Sequence, residues 1–540
     1  MVSERIRIER QERVRSVLGA VLPGGMTAAA QCVPALFFLA FFGPLFLLLT
    51  LLRASGKKKG RYRRSFGLGA LFGAVYSAGC YHWLWYLLRA DWLSFGTVLR
   101  VLVIFGASAA LAVLSALLFG GWAVLVTLFS VRAKKKSLRF VVPIAAGGGW
   151  MLVEFLQSVT VRWFPVLGLP WIRLAGAFAP RPVLLQSAAV WGSLGVGGFF
   201  VFCASLIAAG IYYGKETRTR AIPVGLSFLL LFACIGAGEL RLTFPNASGI
   251  SVSVSLIQGN LGAADKWSAE GASLAWERYS TLTADAEPAD LTVWTESAVP
   301  VTIERSEELD RALRTLAYDC DTSLLAGLFH RADGKVYNSV YAYRPDGTRT
   351  EEPYSKRYPV PFGEYMPLPE IVGTAFPALS SLNVLRDPIS RGESAEPLDT
   401  GNGKAGVLVC FDCAYPEAAR SETARGAEYL CILSNSAWFF DSAACGQAVS
   451  LGVLRALECG RDTVLCSSTG ISAVIDEKGR VLCESEPLET GVLRGEIVRR
   501  TGRTPCSYLP EPVTAGAVFL LLSALFLSQG QNHRKKKKKS

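Results

Sequence analysis

The chain has 540 residues, of which 51% are hydrophobic and 19% are charged, and it carries a formal net charge of +12. This composition is too apolar for an ordinary soluble protein, and the length exceeds that of one domain. A nucleic-acid partner is not expected, because the basic residues form short runs beside apolar stretches, as they do in cytoplasmic membrane loops. The runs are KKKGRYRR (57–64), RAKKKSLR (132–139) and RKKKKK (534–539).

The first half of the chain contains a series of predicted membrane spans, each close to the roughly 20 apolar residues that cross a bilayer. The clear ones lie at about 33–52, 66–89, 97–130, 140–157, 185–212 and 221–238. A weaker segment at about 16–31 has two interpretations, a signal-peptide core or an uncleaved span. The basic stretches 1–15 and 53–64 both belong inside, so an even number of crossings separates them. That parity favours an uncleaved span and seven spans in the first half of the chain.

The same parity predicts where the rest of the chain lies. Residues 1–242 form an N-terminal transmembrane bundle, and residues 243–510 form a domain outside the cytoplasm. Residues 511–540 hold an eighth span, at about 512–528, and a basic tail in the cytoplasm. The sequence therefore predicts a multi-pass membrane protein with one large extracytoplasmic domain.

The outer segment alternates short β-rich runs with amphipathic stretches. Strands are predicted at 250–258, 290–294, 322–329, 337–344, 405–410, 429–434, 462–468 and 471–476, and helices at 305–319 and 447–460. This alternation predicts an α/β domain that is large enough to bury its own core. The stretch 370–403 breaks the rhythm, and its apolar centre suggests an arm that dips into the lipid interface.

Three segments place reactive residues just beyond predicted strands, where α/β folds gather functional groups. Glu296 follows the run LTVW, Lys356 and Glu364 lie in SKRYPVPFGE, and Cys410 ends the run AGVLVC. Taken singly, each has an ordinary structural explanation, which is a surface carboxylate, a solvated lysine or a buried free cysteine. With only 3 histidines in the chain, thiol chemistry is expected to use a base other than histidine.

Cys410 and Cys413 lie three residues apart and allow three interpretations, a nucleophile, a metal clip or packing. The chain has 13 cysteines, an odd number, so at least one thiol lies outside any intramolecular disulfide. No second ligand pair stands at zinc spacing, which makes the metal clip the least favoured interpretation. Neither a metal nor an organic cofactor is expected.

Together these segments resemble the nitrilase (carbon-nitrogen hydrolase) superfamily and, more closely, the apolipoprotein N-acyltransferase family. The linked motifs are QGN (258–260), KW (266–267), W-x-E-x-x-x-P (294–300), FGEYMP (362–367), CFD with a following YP (410–416) and SAWF (436–439). With seven spans before the domain and one after it, the resemblance covers essentially the whole chain. It implies a polytopic α-helical membrane bundle of about eight spans and an extracytoplasmic, nitrilase-like αββα sandwich.

The resemblance also implies the roles of individual residues. Glu296 would be the general base, Lys356 the fixed positive charge and Cys410 the nucleophile, with Cys413 left to packing. The supporting residues would be Glu364, Phe411 and Asp412, and the substrate-binding residues Asn260, Trp267 and Trp438. The chain departs from the family at Phe411-Asp412, where Tyr-Glu is usual, and at Tyr358-Pro359, where His-Leu is usual. It also departs in SNSAWF (434–439), where an acid more often precedes the small residue. The roles of positions 411 and 412 are therefore left open.

The implied reaction moves a fatty acyl chain from a membrane phospholipid, through a thioester on Cys410, to the α-amine of the diacylglyceryl-cysteine of apolipoproteins. The implied protein is a monomer of the bacterial inner membrane, with both termini in the cytoplasm. One alternative is a membrane-tethered nitrilase-type amidase or hydrolase, although a tether needs one span rather than eight. Another is a non-enzymatic scaffold, against which the retention of Glu296, Lys356, Glu364 and Cys410 argues.

Overall fold

The computed structural model describes residues 2–537 except for 57, 91–95, 134–139, 164–168, 215, 246–248, 269, 367–373, 375–387 and 395. The chain forms two compact units. One comprises residues 1–82, 105–243 and 509–540, and the other comprises residues 83–104 and 244–508. The apolar centre of the predicted arm at 370–403 lies outside the described residues.

The first unit is helical. Its helices are α1 (Val2–Cys32), α2 (Leu39–Ser55), α3 (Arg61–Cys80), α4 (Thr97–Arg132), α5 (Val141–Trp163), α6 (Ala188–Tyr213), α7 (Thr217–Thr243) and a C-terminal helix (Glu511–Lys537). The first residues of α4 belong to the second unit. Within the described residues, three helices, α4, α6 and α7, are long and apolar enough to cross a membrane, and α2 and Glu511–Leu527 are shorter apolar helices. The apolar helices support a membrane protein.

A buried ion pair fixes the start of the C-terminal helix inside the first unit. Arg173 donates from both terminal nitrogens to the carboxylate of Glu511, at 2.7 and 3.1 Å. Both side chains are almost fully buried. The Arg173 carbonyl oxygen in turn accepts a hydrogen bond of 2.8 Å from Gln31 of α1. Because removing one partner would strand a buried charge, this pair commits the C-terminal helix to one position in the unit.

The predicted span at 66–89 is wrong at its C-terminal end. Helix α3 ends at Cys80, and a 3₁₀ helix follows at His82–Arg89. Trp83 and Arg89 of this segment contact other residues of the second unit. The Trp83 ring lies edge-on to Phe439 with centroids 4.9 Å apart, and Arg89 approaches Asp441 at 3.3 Å. The tryptophan of this apolar run, Trp83, therefore packs within the second unit.

The second unit contains two six-stranded sheets. Their strands are β1 (Ser251–Gln258), β2 (Leu291–Val293), β3 (Ser323–Ala332), β4 (Lys335–Tyr343), β5 (Tyr354–Ser355), β6 (Leu398–Asp399), β7 (Lys404–Val409), β8 (Tyr429–Ser434), β9 (Thr463–Ser467), β10 (Ala473–Ile475), β11 (Val481–Glu484) and β12 (Gly491–Val498). The strand orders are β12-β1-β2-β3-β4-β5 and β11-β10-β9-β8-β7-β6. In each sheet three central strands are parallel and the outer pairings are antiparallel.

Helices cover the outer faces of the two sheets. The helices of this unit are α8 (Ala263–Lys266), α9 (Gly271–Ala284), α10 (Glu307–Asp319), α11 (Pro416–Ala424), α12 (Ala443–Cys459) and α13 (Pro505–Tyr508), of which α9 to α12 contact the sheets. Alternate residues of a strand point to opposite faces. Val407 and Val409 of β7 accordingly join Val254 of β1 in the core between the sheets, whereas Leu324 of β3 joins Leu313 of α10 in an outer core. The expected αββα order is confirmed.

Candidate active site

The turn after strand β2 carries Glu296, which is almost fully buried. Ser297, the next residue, has a left-handed backbone with φ of +42°, which is costly for a residue other than glycine. Gly327 of β3 packs against this turn, since a Cβ there would lie 2.7 Å from the Ser297 nitrogen. Lys266 donates from Nζ to the Glu296 carbonyl oxygen at 3.1 Å and to Ser297 Oγ at 3.0 Å. These contacts fix the main chain that positions the carboxylate.

A buried ammonium group joins two carboxylates. Lys356 follows the short strand β5, and its Nζ lies 2.8 Å from Glu296 Oε1 and 2.8 Å from Glu364 Oε2. Asn338 Nδ2 donates to the same two carboxylates, at 2.8 and 3.0 Å. Burial lowers the pKa of Lys356, but Glu296 and Glu364 outweigh burial and hold that pKa well above its ordinary value. The lysine is therefore a permanent cation.

Cys410 begins the tight turn that links strand β7 to helix α11. The turn is a 3₁₀ helix over Cys410–Ala414, and Cys410 itself has φ of +48°. A left-handed conformation at a residue other than glycine stores strain, and such residues cluster at active sites. A sharp, strained turn after a parallel strand is also how α/β hydrolases present a serine nucleophile. The local backbone thus suits a nucleophile at position 410.

Asp412 ties the cysteine turn to the segment that carries the lysine. Its carboxylate is fully buried and accepts hydrogen bonds from the Val409 nitrogen at 3.0 Å, the Tyr354 hydroxyl at 2.8 Å and the Tyr358 nitrogen at 2.8 Å. Burial raises the pKa of Asp412, while Lys356 and these hydrogen bonds lower it in part. The acid at this position therefore braces the site, a role that the sequence left open.

Phe411 lies in an aromatic cluster beside the cysteine turn. Its ring is edge-on to Tyr415 with centroids 5.4 Å apart, and Tyr415 stacks on Tyr358 at 3.9 Å. Phe411 is buried, and so is the Tyr415 hydroxyl. Tyr358, which stands where the family usually has histidine, therefore packs on Tyr415. Phe411 contributes ring contacts here without a hydroxyl group.

The second thiol of the pair, Cys413, is buried and has packing contacts. Its carbonyl oxygen accepts a hydrogen bond of 3.2 Å from Arg455. All 13 cysteines are free thiols. Within the residues that the structure describes, no three histidine, cysteine, aspartate or glutamate side chains are grouped to hold a metal ion. The described hydrogen bond of Cys413 therefore joins its turn to helix α12.

The charges around Cys410 determine how its proton can leave. Burial raises the pKa of the Cys410 thiol, Glu296 raises it further, and Lys356 and a hydrogen bond from Ser434 lower it. Glu296, Glu364 and Lys356 together carry one net negative charge. Ionising the thiol into solvent would add a second charge, whereas passing the proton to Glu296 leaves the total unchanged. Burial therefore favours a neutral thiol at rest.

The three predicted substrate-binding residues have different surroundings in the structure. Trp267 is 39% exposed, and its ring is tilted against Phe329 with centroids 6.0 Å apart. Trp438 is half-buried. The Asn260 amide donates to the Leu488 carbonyl oxygen at 2.7 Å, so its described side-chain contact is with main chain. Substrate binding by these residues stays a prediction.

Sequence reasoning missed several residues that hold the site. Asn338 is a buried amide in the middle of strand β4, and its polar side chain among buried residues is a signal, because a buried amide needs partners. Lys266 was noted only as part of a motif, although burial lowers its pKa to about 8. The Asn435 nitrogen donates to Glu296 Oε2 at 2.8 Å, and a main-chain donor leaves no signal in the sequence.

Two family models match the chain. One, described as carbon-nitrogen hydrolase, matches residues 253–504. The other, described as apolipoprotein N-acyltransferase N-terminal domain, matches residues 23–206. The first match covers the two sheets, apart from the first two residues of β1, and every residue of the site above. The second lies in the helical first half of the chain.

Curated relatives match along nearly the whole chain. The apolipoprotein N-acyltransferase of Geobacter metallireducens is 30% identical over 504 residues, which cover 89% of each chain. That of Gloeobacter violaceus is 30% identical over 485 residues, which cover 89% of this chain and 88% of the relative. Among solved structures, an amidase from Nesterenkonia sp. matches 48% of this chain and 95% of its own, at 17% identity and a TM-score of 0.36.

Proposed function

The chain belongs to the apolipoprotein N-acyltransferase family, and we propose that it transfers a fatty acyl chain from a membrane phospholipid to the N-terminal diacylglyceryl-cysteine of apolipoproteins. The observation that carries this proposal is the match to relatives of that name over 89% of both chains. Lipoprotein N-acylation, with membrane lipid as donor, is the activity on which the remaining assignments depend. No organic cofactor takes part in the proposed chemistry.

The first half-reaction loads the enzyme. Glu296 takes the proton of Cys410, and the sulfur attacks the ester carbonyl carbon of the phospholipid. The described contacts of Lys356 use two of its three N–H groups, which leaves one for the oxyanion of the tetrahedral intermediate. One such donor typically contributes about 3–4 kcal/mol. Glu296 then returns the proton to the departing lysophospholipid oxygen, and a thioester remains on Cys410.

The second half-reaction unloads the enzyme onto the lipoprotein. The neutral α-amine of the diacylglyceryl-cysteine attacks the thioester carbonyl, and Glu296 accepts the proton that the nitrogen loses. The carbon–sulfur bond breaks, and the thiolate recovers that proton from Glu296. An amide is formed and the thiol is restored, so the cycle is balanced without any other reactant. Glu364 keeps Lys356 in place through both halves, at the 2.8 Å distance given above.

The chain is an inner-membrane protein, and we extend the proposal to its orientation. The seven helices α1–α7 and the C-terminal helix Glu511–Lys537 would make eight crossings. The basic runs at 57–64, 132–139, 214–220 and 534–539 then all lie in the cytoplasm, as the positive-inside rule requires. Residues 243–510, with the catalytic residues, lie on the periplasmic side. The enzyme is proposed to act as a monomer within the bilayer.

The alternative, a membrane-tethered amidase or hydrolase, would have the same thioester but would use water as the acceptor. It is not favoured, because the relatives are named for N-acyl transfer and the match extends through the helical half of the chain. The two activities differ only in what discharges the thioester, so one experiment can separate them.

The experiment is loading followed by discharge. The full-length protein is purified and mixed with phospholipid vesicles, and an acyl adduct on Cys410 is located by mass spectrometry. One lysophospholipid should appear per loaded site, and neutral hydroxylamine should remove the adduct, as expected for a thioester. Adding a diacylglyceryl-cysteine peptide should then discharge the enzyme and yield an N-acyl peptide. Release of free fatty acid at one rate with and without peptide would instead establish the hydrolase.

A further inference from the structure

A row of serine hydroxyls runs from the Cys410 sulfur into the second sheet. Ser434 Oγ lies 3.5 Å from Cys410 Sγ and 3.4 Å from Ser436 Oγ, and Ser436 Oγ lies 2.6 Å from Ser467 Oγ. All three serines are at most 3% exposed. The strands explain the proximity, because β8 is parallel to both β7 and β9, and Ser434 pairs directly with Ser467. The mechanism above uses none of these hydroxyls.

A main-chain donor at the far end allows every hydroxyl in this row to donate toward the sulfur. The Gly470 nitrogen donates to Ser467 Oγ at 3.1 Å, and a main-chain amide can only donate. Each hydroxyl has one proton. If Ser467 gives its proton to Ser436, and Ser436 gives its own to Ser434, the Ser434 proton is left for the sulfur. Every hydroxyl is then satisfied, and each bond polarises the next.

The turn around Gly470 is built tightly against these hydroxyls. A Cβ at position 470 would lie 2.8 Å from Ser436 Cβ and 2.8 Å from Ser467 Oγ, so only glycine brings the amide this close. The segment also serves the base, because the nitrogen of Asn435, between Ser434 and Ser436, donates to Glu296 Oε2. The same three residues therefore contact both the nucleophile and its base.

We propose that Ser434 is a further catalytic residue, whose hydroxyl stabilises negative charge on the Cys410 sulfur, and that Ser436 and Ser467 are positioning residues that orient it. The row contains no acid or base, so it donates a hydrogen bond and does not remove a proton. The benefit comes twice, when the sulfur attacks the phospholipid ester and when it leaves the thioester. The proposal rests on the proposed function in one respect, that Cys410 is the nucleophile.

The test measures the thiol directly. Iodoacetamide alkylation of Cys410 is followed between pH 7 and pH 10 in the full-length protein, and the modified peptide is quantified by mass spectrometry. Because burial raises the pKa of the Cys410 thiol, the rate should rise with pH. In Ser434→Ala the rate should be about three- to tenfold lower at each pH, after allowing for the greater nucleophilicity of a more basic thiolate.

Two further variants and a control make the result decisive. Ser434→Thr keeps the hydroxyl and should restore the rate. Ser436→Ala breaks the row next to Ser434 and should also lower the rate, but by a smaller factor. This variant keeps the proposal testable if Ser434→Ala does not fold. Thr463→Val removes another buried hydroxyl from strand β9, at the end away from Ser467, and should leave the rate unchanged.

Failure of this proposal is distinguishable from failure of the proposed function. If Ser434→Ala and Ser436→Ala alkylate as the unmodified protein does, the hydroxyl row is packing, even where phospholipid loads Cys410 normally. A rate lost equally in Ser434→Thr would also overturn the proposal, because the hydroxyl would not be what matters. If phospholipid never loads Cys410, the proposed function fails, while the alkylation rates still decide whether Ser434 acts on the sulfur.

Discussion

The two carboxylates on Lys356 provide a matched pair for testing which of them moves a proton. Glu296 and Glu364 each lie 2.8 Å from its Nζ, and each accepts a hydrogen bond from Asn338. Changing either to glutamine removes one of the two negative charges beside Lys356 and leaves a side chain of nearly the same shape. Any difference between the two variants therefore isolates what one carboxylate does beyond pairing with Lys356.

We expect Glu296→Gln to slow acyl loading far more than Glu364→Gln. General acid–base catalysis contributes about 10²–10⁴-fold, and an amide can neither accept the thiol proton nor return it, so loading by Glu296→Gln should fall by that factor. Glu364→Gln loses one charge-assisted hydrogen bond to Lys356, worth about 1.5–3 kcal/mol in stability. Only part of that loss should reach the loading step, which should slow by no more than about tenfold.

The assay is the rate at which Cys410 acquires an acyl group from phospholipid vesicles, followed by intact mass in a single turnover. Thermal unfolding of both variants accompanies it, so that a loss of folded protein is not taken for a loss of chemistry. Equal slowing of loading in the two variants, with equal unfolding temperatures, would contradict this prediction. Glu296 would then be a charge partner of Lys356 and not the base.

Further measurements test the remaining assignments. Cys410→Ala should form no acyl adduct, whereas Cys413→Ala should still form one, as read by intact mass. Lys356→Met should lower the unfolding free energy by about 3–5 kcal/mol, because two carboxylates stay buried without their cation, and a denaturant series measures this. The carboxylate oxygens of Glu422 are buried with no described partner, and burial raises the pKa of this group. The protein should therefore lose stability as pH rises above the pKa that Glu422 has in the unfolded chain. The gain in melting temperature on Glu422→Gln should be larger at pH 8 than at pH 5. A cysteine at position 58 should react with a membrane-impermeant maleimide only in opened cells, and labelling of intact cells would contradict the proposed topology.

Strands with strong apolar patterns could be predicted from the sequence. All eight predicted strands correspond to observed ones, β1–β4 and β7–β10, because their buried faces read as valine-, leucine- and isoleucine-rich runs. Strands β5 and β6 have two residues each, too few for a period to show. Strand β12 is half-exposed and carries Arg494 and Glu496, so its pairing with β1 is set by tertiary structure and not by its own pattern.

The sequence predicts those parts of the site in which a side chain supplies the functional group. Glu296, Lys356 and Cys410 stand out by their place after strands, and the family resemblance implies their roles. The contacts that brace them were not predicted, because many use main-chain groups. The nitrogens of Val409 and Tyr358 hold Asp412, as described above, and no residue type encodes a main-chain donor. Such braces depend on the register between strands, which emerges only when both sheets have formed.

The pairing of the first strand with the last has a consequence for how the chain is made. Strand β1 is complete at residue 258, but its antiparallel partner β12 begins at residue 491. At a synthesis rate of about 5–20 residues per second, one edge of β1 waits unpaired for roughly ten to fifty seconds. An open strand edge is a template for pairing with the wrong partner. A ribosome stalled before residue 491 would therefore leave a chain that holds every proposed catalytic residue and an unprotected edge on its first strand.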